Sequence, residues 1–424
     1  MNAHVFDRFE SEVRSYCRSF PTIFARGEGV WMTDVGGRRY LDLLSGAGTL
    51  NYGHNNPAIV GRVIDYLTSG GIVHSLDLHT EAKANFIDVF QRHILSRRQL
   101  NYKMQFPGPT GTNAIEAALK LARKVTGRTN VVAFTNGFHG MTLGALAATA
   151  NPAKRAGASA PLANTTFMPY DGFLGDEVDT LDFITPMLLE GGSGVDRPAA
   201  ILVEMVQGEG GLNTASASWV RRIAVLAREL GAILIIDDIQ AGNGRTGSFF
   251  SFEPFGIEPD IVVLSKSLSG FGTPFSLVLI RPDLDRWQPG EHNGTFRGNN
   301  LAFVGAAAAI ETYWTDDRFV GEVAGTAALL REGLLRITAN LPGGTAQVKG
   351  RGLFIGLSFA EAQVATALSR RLFAGGVIAE TCGRRDEVLK LLPPLTIGRT
   401  EVEDALALLG EAVSHEAVQP RLAS

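Results

Sequence analysis

The chain has 424 residues, enough for two domains or for one large domain with a smaller one attached. Its formal net charge is −4, with 45% hydrophobic and 19% charged residues. That balance argues against nucleic-acid and anionic-membrane partners. Two cysteines, Cys17 and Cys382, exclude a disulfide framework and a Cys-rich metal site, and they suit a reducing, cytoplasmic setting. No metal-ligand cluster is expected. The opening "MNAHVFDRFESEVRSYC" is charged throughout and reads as no signal peptide, and no apolar run is long enough for a membrane span.

In chain order, the first informative stretch is "PGPTGTNAIEAALKLARKVTG". It predicts a glycine-rich turn opening an amphipathic helix, with Ile115, Ala118, Leu119 and Ala122 inward. Amides of Gly111 and Thr112, with the Thr112 hydroxyl, would face an anion bound at that helix start. The plainer alternative makes Thr112 an N-cap. "VVAF" (Val131–Phe134) predicts a strand buried on both faces, followed by Phe138 and His139 between glycines. An aromatic there serves equally well as core or as the wall of a flat ligand.

Four more apolar runs follow, at Ala200–Val206, Ala232–Asp237, Ile261–Ser265 and Ser276–Ile280. The glycine-rich "LEGGSGVDRP" (Leu189–Pro198) reads as a surface loop. Before the second run, "SWVRRIAVLARELG" places Trp219, Ile223, Leu226 and Leu230 on one helical face and stops at Gly231. This alternation predicts a mainly parallel sheet with helices on both sides, whose ligands sit beyond the carboxyl ends of the strands. Asp237 and Lys266 both fall at such ends. A lysine there is either a solvated turn residue or an amine able to form a Schiff base. Paired with a carboxylate on a nearby strand, a phosphate seat and an aromatic wall, it meets the needs of pyridoxal phosphate. The lysine takes the aldehyde, and the carboxylate keeps the pyridine nitrogen protonated.

The stretches "GTNAIEAALKLAR", "GFHGMTLGAL", "VEMVQGEGG", "DDIQAGNGRTG", "LSKSLSG" and "GTFRGNN" together resemble the class III aminotransferases of fold type I. "FESEVRSYCRSFPTIF", "AGTLNYGHNNP", "MPYDGFLGD" and "GEHNGTFRGNNLAF" are similar to the diaminobutyrate–2-oxoglutarate aminotransferases, notably those of ectoine biosynthesis. The resemblance implies an α/β fold: a large cofactor domain over residues 55–315, and a small α+β domain built from residues 1–54 and 316–424. It also implies that Lys266 is the Schiff-base lysine and Asp237 the partner of the pyridine nitrogen. Gln240 would lie near the phenolic oxygen, and Phe138 would stack on the ring. His139 and Glu204 would stand beside them, and Gly111 and Thr112 would hold the phosphate with Thr295 of a neighbouring subunit. A homodimer with shared sites would then be the smallest working unit.

Many relatives that use 2-oxoglutarate carry arginine where this chain has Lys390, and another where it has Met141. Ornithine-processing members place an aromatic near Ala47. A lysine lacks the bidentate fork of arginine, so carboxylate binding is expected to rest on Lys390 with Glu209. The alternative makes Lys390 a surface lysine before a Pro-Pro turn. The expected reaction moves an amino group from L-glutamate to L-aspartate 4-semialdehyde. Rival readings are an ω-amine aminotransferase for ornithine, acetylornithine or 4-aminobutyrate, an aminomutase, or a non-catalytic cofactor-binding protein.

Overall fold

The computed structural model describes residues 4–418. Near the N-terminus an antiparallel meander forms from β1 (Phe24–Glu28), β2 (Trp31–Asp34) and β3 (Arg39–Asp42). The central sheet collects β4 (Lys103–Gln105), β5 (Val131–Phe134), β6 (Thr165–Met168) and β7 (Ala200–Val203). It also includes β8 (Ile233–Asp237), β9 (Ile261–Leu264) and β10 (Leu277–Ile280). Its order is β4-β10-β9-β8-β7-β5-β6, and β10 alone runs antiparallel to both neighbours. The remaining pairs are parallel, as the buried runs predicted.

Both faces of this sheet are covered, because neighbouring residues of a strand point to opposite sides. On β8, Ile233 and Ile235 join an apolar cluster with Ala114, Ile115, Ala118 and Leu119 of the helix Gly111–Thr126. Leu234 and Ile236 join the opposite cluster, where Trp219, Ile223, Leu226 and Leu230 of the helix Ala217–Leu230 are buried. That second helix ends at Gly231, whose φ of +56° is the left-handed conformation that closes a helix at little steric cost.

Beyond the central sheet, β11 (Ala346–Arg351), β12 (Phe354–Phe359), β14 (Glu380–Cys382) and β15 (Val388–Leu391) form a second antiparallel sheet, ordered β11-β12-β15-β14. The short β13 (Val377–Ile378) leaves it to pair parallel with β3, matching Val377 to Leu41 and Ile378 to Asp42. The two ends of the sequence therefore share a sheet. The fully buried Arg245 ties them to the loop after β8: its guanidinium donates to Asn51 Oδ1 at 2.5 Å, Pro393 O at 2.5 Å and Leu353 O at 3.2 Å. Among the described residues no helix is long and apolar enough to cross a membrane, and no cluster of side chains has the make-up of a metal site.

Three local expectations change. The run Ala200–Val206 is not one strand: β7 stops at Val203, and the chain turns so that the Glu204 carboxylate accepts the Gly208 N–H at 3.3 Å. The N-cap of the helix Gly111–Thr126 is Thr110 rather than Thr112, with Asn113 Oδ1 accepting from the Thr110 N–H and hydroxyl at 3.2 and 2.8 Å. Lys390 is no surface lysine. It lies in the middle of β15 with 0% exposure.

Candidate active site

A cavity of about 340 Å³ opens at the carboxyl ends of the central strands. Asp237 ends β8, and Lys266 follows β9, the parallel neighbour of β8. Both line the cavity, which is where open parallel sheets place ligands. Gly111 and Thr112 line one end of it. They occupy the first turn of their helix, where backbone N–H groups have no intrahelical acceptor. Phe138, His139, Glu204, Gln240 and Glu209 line it as well. The sequence thus spread nine of the expected residues over 156 positions that the fold brings to one cavity. Thr295 is not among them; it lies in the short turn Thr295–Arg297, its carbonyl against the His74 ring at 2.8 Å.

Lys266 has a φ of +52°, a left-handed conformation seldom adopted by a residue with a side chain and one that collects at functional sites. Its Nζ donates to Ala47 O at 2.9 Å. Gln240 Nε2 donates to the same carbonyl at 2.9 Å, at a loop where Gly46 and Ala47 are left-handed too. Burial lowers the Lys266 pKa, and the nearby Lys390 charge adds to this against the opposing carboxylates. A lysine more easily deprotonated is a better nucleophile toward a carbonyl carbon.

Around Asp237 the groups form a buried chain. His139 Nδ1 lies 2.7 Å from Asp237 Oδ2, and the Ile239 N–H reaches Oδ1 at 3.2 Å. Burial alone would lower the His139 pKa, but the Asp237 carboxylate more than offsets this and raises it. Glu204 accepts the Phe138 N–H at 3.0 Å and so fixes the backbone that carries the Phe138 ring. Burial, opposed by the His139 charge, pushes the Glu204 carboxyl up to about 7.

The third group surrounds Lys390. Its Nζ is 2.7 Å from Glu209 Oε1 and 3.0 Å from Glu380 Oε1. Glu380 stands directly opposite Lys390 in the β14–β15 register. Burial would raise the Glu209 pKa, yet the Lys390 and Lys266 charges hold it down at about 2. Glu380 is raised instead, by burial and by the Glu209 charge. Of the two carboxylates, Glu380 is therefore the readier to take a proton. The sequence did not single out Glu380, nor the Ala47 carbonyl.

These residues fit pyridoxal phosphate. The donor set is right in kind: a lysine amine, a buried carboxylate, a partly exposed aromatic ring and two free helix-start amides. The seat also has no room for larger residues. A Cβ on Gly140 would fall 2.3 Å from Thr112 Oγ1, and one on Gly111 would fall 2.7 Å from the Ile239 side chain. Thr112 Oγ1 meets Thr142 Oγ1 at 2.7 Å, which fixes the hydroxyl at the helix start.

Such a sheet, with a lysine and an aspartate at adjacent strand ends, defines an α/β cofactor-dependent transferase of fold type I. The chain belongs to the class-III aminotransferases, whose family pattern matches residues 14–413. It is a transaminase with pyridoxal phosphate as cofactor, acting on small molecules. A protein of Bordetella parapertussis named diaminobutyrate–2-oxoglutarate transaminase is 53% identical over 415 residues, covering 98% of this chain and 95% of that one. Proteins of the same name from Halalkalibacterium halodurans and Vibrio cholerae are 51% and 52% identical. They cover 97% and 96% of this chain, and 96% and 98% of their own lengths. Among solved structures, the ornithine aminotransferase of Toxoplasma gondii superposes with a TM-score of 0.85 at 24% identity, covering 98% of this chain and 95% of its own. A transaminase from the marine bacterium Virgibacillus gives 0.84 at 19% identity, covering 98% of both. At those identities the likeness speaks for the shared fold alone.

Proposed function

We propose that the chain moves the amino group of L-glutamate to the aldehyde carbon of L-aspartate 4-semialdehyde, giving L-2,4-diaminobutyrate and 2-oxoglutarate, with ectoine synthesis as the onward use. The observation that carries this reading is the Lys390–Glu209 pair at 2.7 Å beside the Lys266 cavity. Near-full-length identity above 50% to proteins named for this reaction supports it.

When bound, pyridoxal phosphate supplies an aldehyde that condenses with amines and a protonated ring that withdraws electrons from the substrate carbon. Lys266 Nζ would hold the aldehyde end of the group and, when free, would carry a proton to and from the substrate carbon. Asp237 would keep the ring nitrogen protonated, with His139 fixing the direction of its carboxylate. Phe138 would face the ring, Gln240 its phenolic oxygen, and Gly111 and Thr112 the phosphate. Lys390 exchanges Glu209 for a substrate carboxylate, which lets one pocket accept substrates with and without that group.

The reading includes a homodimer in which Thr295 of the partner subunit completes the phosphate seat. Support comes from the absence of Thr295 from its own chain's cavity, and from the exposed Ile72, Val73, Leu76, Leu78 and Phe296 near it. It also includes the division into residues 55–315 and a small domain from both ends, supported by the β3–β13 pair. A cytoplasmic location suits two unpaired cysteines.

The test is a donor panel against 2-oxoglutarate. Diaminobutyrate should outperform ornithine, acetylornithine and 4-aminobutyrate, with one glutamate formed per donor consumed. Faster turnover of any rival donor moves the assignment to that substrate.

A further inference from the structure

One buried charge in this site has no part in the scheme above. Glu380 shares Lys390 with Glu209, and its side chain is 9% exposed. With Lys266 engaged by the cofactor, two carboxylates share the one Lys390 ammonium, which leaves an uncompensated negative charge in a region where water screens it poorly. A pocket meant only for the far-end carboxylate of glutamate gains nothing from that charge.

The cavities show what could meet it. Glu209 and Phe138 line both the Lys266 cavity and an outer one of about 700 Å³. Glu380 lines the outer cavity with Tyr16, and so do the basic residues Lys154 and Arg370. Glu209 lines both cavities and shares Lys390 with Glu380, so a substrate whose reacting amine is at Lys266 and whose chain runs past Glu209 would approach Glu380. At that far end 2,4-diaminobutyrate and aspartate semialdehyde carry an ammonium and a carboxylate, whereas glutamate carries a carboxylate alone.

We propose that Glu380 is the specificity-determining carboxylate of this site, recognising the ammonium group that a diamino acid carries remote from its reacting amine. This rests on the transaminase reading of the Lys266 cavity. Lys390 or the basic residues at the mouth take the neighbouring carboxylate, and Glu380 takes the ammonium. When glutamate arrives instead, the excess negative charge opposes it.

The test compares two donors that differ by the ammonium alone. 4-Aminobutyrate is 2,4-diaminobutyrate without its 2-amino group, so the ratio of their kcat/KM values isolates that contact. In Glu380→Gln the ratio should fall about ten- to a hundredfold, the scale of one charge-assisted hydrogen bond. The loss should be confined to diaminobutyrate, and KM for 2-oxoglutarate should stay level or drop. An unchanged ratio, or an equal loss for both donors, overturns the proposal. If Glu380→Gln does not accumulate as folded protein, Glu380→Asp carries the test. It keeps the charge but withdraws it, and should give an intermediate ratio; a wild-type ratio contradicts the proposal. If the unaltered enzyme prefers ornithine, the substrate assignment fails by itself. The role of Glu380 is then read from ornithine against 5-aminopentanoate, with the same outcomes deciding it.

Discussion

His139 Nδ1 lies 2.7 Å from Asp237 Oδ2, with both side chains buried at the mouth of the central sheet. The imidazole is thereby a fixed donor to the carboxylate, and the second carboxylate oxygen is met by the Ile239 N–H. Asp237 is held in one orientation from both sides.

A neutral side chain in that place should leave the cofactor nitrogen without its proton. Asp237→Asn is expected to slow the proton-transfer half-reaction by at least about two orders of magnitude, the scale of general acid–base effects. Single-turnover measurement with diaminobutyrate reads this step. Unchanged rates would make the carboxylate structural.

Lys390 faces two carboxylates with no exposure to water, so its removal acts twice. Lys390→Ala should raise KM for glutamate and 2-oxoglutarate about ten- to a hundredfold. The rate at which Lys266 takes up the cofactor should change less. With Glu209 and Glu380 left facing each other, the melting temperature should also drop, as when one partner of a buried pair is lost. Steady-state kinetics and a thermal melt check the two halves. Normal KM values would place the carboxylate site elsewhere.

Glu204 gives a pH signature in the cofactor-free protein. Its folded pKa of about 7 exceeds the ordinary value of 4.5. Between those values the folded chain holds a proton that the unfolded chain has lost. The stability it contributes is therefore present in acid and disappears as pH rises through about 7. His139, also raised, works in the same direction. Glu204→Gln should flatten the decline in stability between about pH 4.5 and 7 by roughly 1–3 kcal/mol. Chemical denaturation across that range measures it, and parallel profiles for the two proteins would assign the proton elsewhere.

Much of the sheet was legible because its inner strands are buried on both faces. Val131–Phe134, Ile233–Asp237 and Ile261–Leu264 show as unbroken apolar runs, and Asp237 and Lys266 stand out where those runs end. The edge strands did not show. Lys103–Gln105 and Thr165–Met168 are short and carry polar residues, so neither has a buried run to mark it. Glu380 was hidden for a different reason. Its place beside Lys390 depends on the register of two short antiparallel strands, which no local pattern encodes. The Ala47 carbonyl was equally silent, because a backbone atom aimed by left-handed residues leaves no trace in residue type.

The central claim is that Lys266 carries the cofactor for amino transfer. The most direct measurement incubates the purified chain with pyridoxal phosphate, 2,4-diaminobutyrate and 2-oxoglutarate, and quantifies glutamate. A parallel sample, treated with borohydride before substrate, is digested to locate cofactor mass on the peptides. The unaltered chain should form one glutamate per diaminobutyrate consumed and carry the cofactor mass on Lys266. Lys266→Ala should show neither the mass nor turnover above background. Sustained turnover by Lys266→Ala, or cofactor fixed to a different lysine of the unaltered chain, would contradict the account.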